Sequence, residues 1–146
     1  MSMMMRKINM LSRAQAVYRN ERLPNEELGG WYHPYVLAVC ANPGFSQEQL
    51  ARHICTDKSN VCRHLSCLEK HGYIERRPDE EDRRVLRVFP TAKMEALFLG
   101  EQQVATDWNA YLAADLTEEE LTTLHRLLNK VAERAQAYVD GKERPK

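Results

Sequence analysis

Residues 46–89 read SQEQLARHICTDKSNVCRHLSCLEKHGYIERRPDEEDRRVLRVF, and this stretch decides the fold. The residues at its start combine a capping box with a hydrophobic staple, an arrangement that begins helices: Phe45, Ser46, Gln49 and Leu50. This predicts a short helix that ends near Cys55.

A second helix is expected directly after the first. Thr56 and Asp57 are polar residues suited to a turn and to the N-cap of a new helix. Gly72 fits the left-handed position just past the end of that helix. Two short helices joined by about three residues form a helix-turn-helix.

The second helix has an apolar side and a polar side. At about 100° per residue, Val61, Leu65 and Leu68 lie on one narrow stripe. The opposite side carries hydroxyl and cationic donors: Ser59, Arg63, Ser66 and Lys70. Such donors suit the major groove of DNA, where arginine can grip guanine through two hydrogen bonds. The alternative is an ordinary solvated helix face.

Two strand-like runs follow, at residues 73–77 and 85–89, and they flank a polar turn at 78–84. This pattern is typical of a β-hairpin. The turn carries four acidic residues and then two arginines. Because an acidic tip repels DNA, we expect Asp82 to brace an arginine rather than to meet a phosphate. A helix-turn-helix followed by a charged hairpin is a winged helix.

The stretch from Phe45 to Thr91 closely resembles the multiple antibiotic resistance regulator (MarR) family of bacterial winged-helix transcription factors. The resemblance rests on Gln49-Leu50-Ala51, on residues 68–77 and on Asp82-Arg83-Arg84, which includes the family's aspartate-any-arginine wing signature. It implies a mainly α (α+β) fold with a two-stranded wing. We expect one domain over residues 1–146, with the winged helix-turn-helix at about 31–89 and dimerisation helices at about 1–22 and 91–140.

The resemblance also implies a homodimer on double-stranded DNA. Two recognition helices would enter successive major grooves, so we expect a pseudo-palindromic operator. The expected DNA-contacting residues are Lys58, Ser59, Asn60, Arg63, His64, Ser66, Lys70, Arg83 and Arg84. The signature arginine of the family commonly reaches into the minor groove, which here implies Arg84, with Asp82 bracing an arginine of the wing.

Composition sets broad limits. The chain has 146 residues and a formal net charge of zero, which by itself does not favour a nucleic-acid binder. Residues 52–87 carry nine Lys and Arg against seven Asp and Glu, whereas residues 91–146 carry seven against ten. Any affinity for DNA must therefore come from the placement of charges.

Helices are also predicted on both sides of the winged helix. We expect a helix over about residues 7–18, a buried helix from His33 to Ala41, and a helix from the N-cap Thr91 to about Asp115. A second capping box at Thr117 and Glu120 begins the last helix. Its apolar residues recur at alternating steps of three and four, a pattern of helix association: Leu121, Leu124, Leu128, Val131, Ala135 and Tyr138. The alternatives are packing within the chain and dimerisation.

A cytoplasmic protein without cofactors is expected. No apolar run reaches membrane-spanning length, and the N-terminus lacks the hydrophobic region of a signal peptide. The four cysteines are then expected to stay reduced, and their spacing resembles no zinc site. No catalytic motif is present, so we predict that the chain is not an enzyme. A thiol sensor is an alternative, with Cys62 beside Arg63 as the best candidate.

Aromatic residues provide a candidate effector pocket, since family members often bind small aromatic compounds between the dimerisation helices and the winged helix. The candidate residues are Tyr18, Trp31, Tyr32, His33, Tyr35 and Trp108. Core packing is the alternative. We therefore predict a homodimeric repressor released by a small effector. The alternatives are a thiol-responsive regulator of the same fold and a winged-helix protein-interaction module without DNA binding.

Overall fold

The computed structural model describes residues 2–142 and 144–145. The helices are α1 (Ser2–Arg22), α2 (His33–Ala41), α3 (Gln47–Ile54), α4 (Lys58–Lys70), α5 (Ala92–Leu112) and α6 (Glu118–Val139). A short 3₁₀ helix, Gly30–Tyr32, precedes α2, and the strands are β1 (Ile74–Pro78) and β2 (Leu86–Pro90). The mainly helical fold with a two-stranded antiparallel sheet is the one predicted.

The start of α3 follows the sequence pattern closely. The amide of Gln49 donates to Oγ of Ser46 at 3.1 Å, and the amide of Ser46 donates to Oε1 of Gln49 at 2.8 Å. Both halves of the predicted capping box are therefore formed. Cys55 ends α3 in the left-handed conformation, with φ of 60°. Asp57 is the N-cap of α4, as predicted, and accepts from the amide of Asn60.

Each strand begins and ends one residue later than predicted. Tyr73 cannot begin β1, because its amide donates to the carbonyl of Leu68 at 2.9 Å and so completes the end of α4. Gly72 allows this turn with φ of +77°, as expected for a left-handed residue after a helix. The strands then pair in antiparallel register from Ile74 opposite Pro90 to Pro78 opposite Leu86. Proline is tolerated there because the sheet has only edge strands.

The core lies under α4. Val61, Leu65 and Leu68 are fully buried, which confirms the predicted stripe. They belong to a cluster with Val36 and Val39 of α2, together with these residues of α3, β2 and α5: Leu50, Val88 and Met94. Burial of a large aliphatic side chain contributes about 1.5–3 kcal/mol. This cluster therefore holds α4 in place and leaves the opposite side of α4 exposed.

The chain divides into two compact units, Met1–Trp108 and Asn109–Lys146, with the boundary inside α5. Within the first unit, α1 is longer at both ends than the predicted 7–18. Thr91 directly precedes α5, and its carbonyl accepts from the amide of Glu95 at 3.0 Å, while its hydroxyl donates to the carbonyl of Gly72 at 2.6 Å. The end of α5 comes at Leu112 rather than near Asp115, because residues 113–115 form a turn.

In the second unit, Thr117 and Glu120 form the predicted capping box at the start of α6. None of the residues of α6 is buried. The prediction of a single domain over 1–146 stays a prediction, and residues 1, 143 and 146 lie outside the described part. None of the described helices is both long enough and apolar enough to cross a membrane.

Candidate nucleic-acid interface

The outer side of α4 carries the donors that the sequence placed there. Ser59, Arg63, Ser66 and Lys70 are all exposed. The N-cap Asp57 organises the first turn, because its carboxylate accepts from the backbone amide of Asn60 at 2.8 Å and from the Asn60 side chain at 2.9 Å. The side-chain oxygen of Asn60 in turn accepts from the Arg63 guanidinium. One end of the Arg63 guanidinium is therefore hydrogen-bonded to a residue of the same helix.

Lys58 is the first residue of α4, and its ammonium lies 3.2 Å from a carboxylate oxygen of Glu48 in α3. Both side chains are largely exposed, so this ion pair adds little stability. A groove of about 230 Å³ lies between these helices and the wing. It is lined by Ser46, Gln47, Glu48, Lys58, Arg84, Val85 and Leu86. Lys58 of α4 and Arg84 of the wing, both predicted to contact DNA, therefore line the same groove.

Arg76 of β1 joins the wing to the helix-turn-helix. Its guanidinium donates to Gln47 at 3.0 Å, to the hydroxyl of Ser66 at 3.2 Å and to Glu69 at 3.0 Å. The hydrogen bond from the Arg76 side chain to Glu69 is the main reason that the pKa of Glu69 lies below its ordinary value. Only 16% of the Arg76 side chain is exposed, so it acts within the structure. The sequence prediction missed Arg76, since its three partners lie in α3 and α4.

The turn of the wing is organised by Asp79. One carboxylate oxygen accepts from the amides of Glu81 and Asp82, and the other lies 2.6 Å from Nε of Arg87. Arg87 also donates to the carbonyl of Gly44, a residue just before α3, at 2.9 Å. The hydrogen bond from Arg87 is the main reason that the pKa of Asp79 is lowered. The sequence prediction assigned neither residue a role in the site.

Asp82 and Arg84 form a second pair at the tip. Nε and Nη2 of Arg84 donate to the two carboxylate oxygens of Asp82 at 3.0 and 3.2 Å. The amide of Arg84 also donates to Asp82, and these contacts lower the pKa of the Asp82 carboxyl. The Arg84 side chain is nevertheless 90% exposed. Asp82 thus orients an arginine that stays open to solvent, while Arg83 beside it is exposed.

Comparisons with known proteins identify the family. The MarR family model matches residues 40–86. The HTH-type transcriptional regulator BilQ of Clostridium symbiosum is 30% identical over 105 residues, which cover 72% of this chain and 73% of that protein. The chain belongs to the MarR family.

Two further comparisons extend the likeness of this MarR-family chain to most of its length. The HTH-type transcriptional regulator YybA of Bacillus subtilis is 28% identical, over 90% of this chain and 87% of that protein. The crystal structure of a MarR family transcriptional regulator from Listeria monocytogenes, complexed with a 26mer DNA, matches with a TM-score of 0.87. Its identity is 25%, and the match covers 97% of each chain. The predicted family and fold are confirmed, and the chain is a transcriptional regulator, not an enzyme.

The aromatic residues proposed for an effector pocket fall into separate places in this MarR-family regulator. Tyr18 packs on Trp108, with ring centroids 4.8 Å apart, and both line an open cavity of about 410 Å³. Tyr32 and His33 line a different cavity, of about 270 Å³. These two cavities therefore divide four of the six side chains between them.

Trp31 and Tyr35 do not line those cavities, because they pack against the recognition helix α4. The ring of His64 stacks on Trp31 with centroids 4.3 Å apart, and Nδ1 of His64 lies 2.9 Å from the Tyr35 hydroxyl. His64 is therefore half-buried and faces α2, unlike Arg63 beside it. The sequence prediction placed His64 among the DNA contacts and Tyr35 in the effector set, and missed that the two touch.

A buried polar cluster joins α1, α2 and α5. Nδ1 of His33 lies 2.5 Å from Oε1 of Glu101, and its Nε2 lies 3.0 Å from Oδ1 of Asn20. Both ionisable side chains are almost fully buried, at 1% and 2% exposure. Burial lowers the pKa of Arg19, and the nearby carboxylate of Glu101 opposes this shift. No sequence motif pointed to this cluster, since His33 and Glu101 lie far apart in the chain.

The cysteines form no disulfide, and Cys55 and Cys62 are exposed. Burial raises the pKa of the Cys40 thiol to about 11, which makes it unreactive. No group of three His, Cys, Asp or Glu side chains in the described part of the chain could hold a metal ion. These observations assign no role to any of the four cysteines.

Proposed function

We propose that this regulator binds double-stranded DNA sequence-specifically, with α4 in the major groove and the wing in the minor groove. The observation that carries the proposal is the pairing of Asp82 with the highly exposed Arg84, beside a recognition helix whose outer face is free of the core. A narrow minor groove concentrates negative potential and attracts arginine. The Listeria monocytogenes relative was crystallised in complex with a 26mer DNA, which supports DNA binding by this chain.

We also propose that two copies bind together. The apolar residues of α6 are exposed, including Leu124, Leu128, Val131 and Tyr138. Met3, Met4, Met5, Met10 and Leu11 of α1 are exposed as well. Exposed apolar side chains that recur along a helix mark an interaction surface. A homodimer would cover it and would present two recognition helices about 34 Å apart to a pseudo-palindromic operator.

Repression with release by a small aromatic effector completes the proposal. The open cavity beside Tyr18 and Trp108 is also lined by Arg13 and Glu21, so an apolar wall and charged groups of both signs are available to a small aromatic compound with polar substituents. This cavity supports an effector site smaller than the six-residue set predicted from the sequence. A cytoplasmic location stays a prediction.

Fluorescence anisotropy with labelled promoter DNA from beside the protein's own gene tests the proposal, at several salt concentrations. We expect tight binding at low salt that weakens as salt rises, because contacts with phosphates release counterions. Arg84→Ala should weaken binding at every salt concentration. Lys130→Ala removes the same charge from an exposed position of α6 and should leave binding unchanged.

A folded dimer that binds no DNA at low salt would contradict the proposal and favour a protein-interaction module, for which the zero net charge is the supporting observation. The thiol-responsive alternative is supported by the exposure of Cys62 on α4. It predicts that a mild oxidant lowers DNA affinity in the unaltered protein and not in Cys62→Ser.

A further inference from the structure

His64 occupies an unusual position for a residue of a recognition helix. Its ring lies parallel to that of Trp31, with a centroid distance of 4.3 Å and 7° between the planes. Tyr35 meets the ring edge-on, at 5.4 Å and 85°. Trp31 belongs to the 3₁₀ helix and Tyr35 to α2, so elements outside α4 determine how the imidazole is turned.

The hydrogen bond between Tyr35 and His64 has a defined direction. Tyr35 is 1% exposed, and in the described part of the chain its hydroxyl hydrogen-bonds to Nδ1 of His64 at 2.9 Å. Burial raises the pKa of Tyr35 to about 12, so the hydroxyl keeps its proton near neutral pH. A buried hydroxyl proton without an acceptor is costly. Tyr35 therefore donates, and Nδ1 accepts.

An accepting Nδ1 places the proton of the neutral ring on Nε2. Burial, and then the neighbouring charge of Arg63, lower the pKa of His64 and favour this neutral form. The buried side-chain polar atoms without a hydrogen bond, among the described residues, are Nε of Arg19 and Oε2 of Glu101. Nε2 of His64 is not one of them, and the described residues show no hydrogen bond to it, so this nitrogen is not fully enclosed by the protein.

We propose that Tyr35 is a positioning residue for DNA recognition: it holds His64 as the Nε2–H tautomer, and this N–H donates to a phosphate oxygen beside α4. The inference rests on the proposed DNA binding. Stacking on Trp31 limits rotation of the ring, so little side-chain freedom is lost when the contact forms. An uncharged donor fixes the register of α4 on the duplex but releases no counterion.

The tautomer can be observed without DNA. Long-range proton–nitrogen NMR spectra of the nitrogen-15-labelled protein report which imidazole nitrogen carries the proton, and His64→Gln identifies the signals of His64. We expect a protonated Nε2 and a hydrogen-bonded, unprotonated Nδ1. In Tyr35→Phe, the Nδ1 signal should move towards that of an unbonded nitrogen. A protonated Nδ1 in the neutral ring of the unaltered protein would overturn the inference.

DNA affinity provides the second measurement. His64→Ala should bind about tenfold more weakly, the loss expected for one hydrogen bond to a charged group, with no change in salt dependence. In His64→Gln the amide nitrogen can occupy the position of Nε2, so binding should stay within about twofold. In His64→Asn the amide reaches only the Nδ1 position, and the loss should match that of alanine.

Tyr35 should act only through His64. Tyr35→Phe should weaken DNA binding several-fold in the unaltered background and have no effect in His64→Ala, a coupling that a double-mutant cycle measures. Tyr32→Phe is the matched control, because it removes another buried hydroxyl, which donates to the carbonyl of Leu23 rather than to His64. Circular dichroism and thermal unfolding verify that all variants are folded.

The outcomes separate the two proposals. If the unaltered protein binds no DNA, the proposed function fails and the phosphate contact fails with it, while the NMR spectra still decide the tautomer. If it binds DNA but His64→Ala binds equally well, the contact is wrong and the proposed function stands. Equal losses from Tyr35→Phe in both backgrounds would show that Tyr35 acts through general packing.

Discussion

The carboxylate of Asp79 lies 2.6 Å from Nε of Arg87, and this ion pair joins the turn of the wing to strand β2. The same arginine donates to the carbonyl of Gly44, ahead of α3. Asp79 also accepts from two backbone amides of the turn. Asp79 and Arg87 therefore attach the turn of the wing to the segment before α3, in addition to the contacts that Arg76 of β1 makes with α3 and α4.

Asp79→Ala should loosen the wing without unfolding the protein, because the core under α4 is untouched. We expect faster hydrogen exchange at the amides of Glu81 and Asp82 and weaker binding to DNA. Glu80→Ala removes the same charge from an exposed neighbouring position and should do neither. Exchange followed by mass spectrometry measures the first effect. Unchanged exchange in Asp79→Ala would show that the turn does not depend on this carboxylate.

Asp82→Ala should weaken DNA binding even though it removes a negative charge from the tip. Without the two hydrogen bonds from its side chain to Asp82, Arg84 would lose more conformational freedom when it enters a groove. Simple electrostatics predicts tighter binding instead, so the sign of the change at fixed salt is decisive. Tighter binding by Asp82→Ala would mean that the carboxylate only repels DNA.

Arg84→Lys should also weaken binding, although it keeps the charge. The planar guanidinium supplies the fork of donors that pairs with both oxygens of Asp82, and an ammonium cannot reproduce that geometry. Titration of operator DNA at one salt concentration measures the loss. Binding equal to that of the unaltered protein would show that charge alone is required at this position.

Arg63 and Lys70 should make different contributions to binding. Arg63→Ala should relax base preference and cost about 1–3 kcal/mol if the guanidinium contacts a base through two hydrogen bonds. Lys70→Ala should weaken binding to all sequences alike and reduce the salt dependence. In vitro selection from random duplexes, followed by affinity measurements, separates the two effects. An unchanged preferred sequence in Arg63→Ala would remove Arg63 from base readout.

Leu128→Asp should prevent dimerisation, because it places an unpaired charge in the exposed apolar seam of α6. Analytical ultracentrifugation at micromolar concentration measures the oligomeric state. Asn129→Asp is the control, since it adds the same charge at an exposed position one residue away, off the seam. A monomeric unaltered protein at that concentration would contradict the proposed homodimer.

Glu101→Ala should destabilise the protein strongly. It leaves Nδ1 of His33 without its hydrogen-bond partner in a site where both side chains are almost fully buried, a change that typically costs about 1–3 kcal/mol. Glu95→Ala is the control, because Glu95 is exposed on the same helix and its loss should stay within about 0.5 kcal/mol. Urea unfolding measures both. Equal stability of the two variants would mean that the buried pair contributes nothing.

Much of the winged helix was predictable from the sequence because its signals are local. A capping box joins residues three apart, so Ser46 with Gln49 and Thr117 with Glu120 could be recognised without the tertiary structure. The stripe under α4 follows from helical periodicity alone. The start of β1 was misplaced by one residue because the amide of Tyr73 donates to the end of α4 instead of pairing in the sheet. Strand propensity alone does not predict this hydrogen bond.

The sequence by itself thus determined the helix starts, the left-handed turn at Gly72, the side of α4 that is buried and the family. Only the tertiary structure decided which distant side chains meet. Asp79 with Arg87, Tyr35 with His64, and His33 with Glu101 are 8, 29 and 68 residues apart, respectively. Their pairing depends on how whole elements pack, because a hydrogen bond forms only when donor and acceptor come within about 3 Å. Residue order alone carries no such distance.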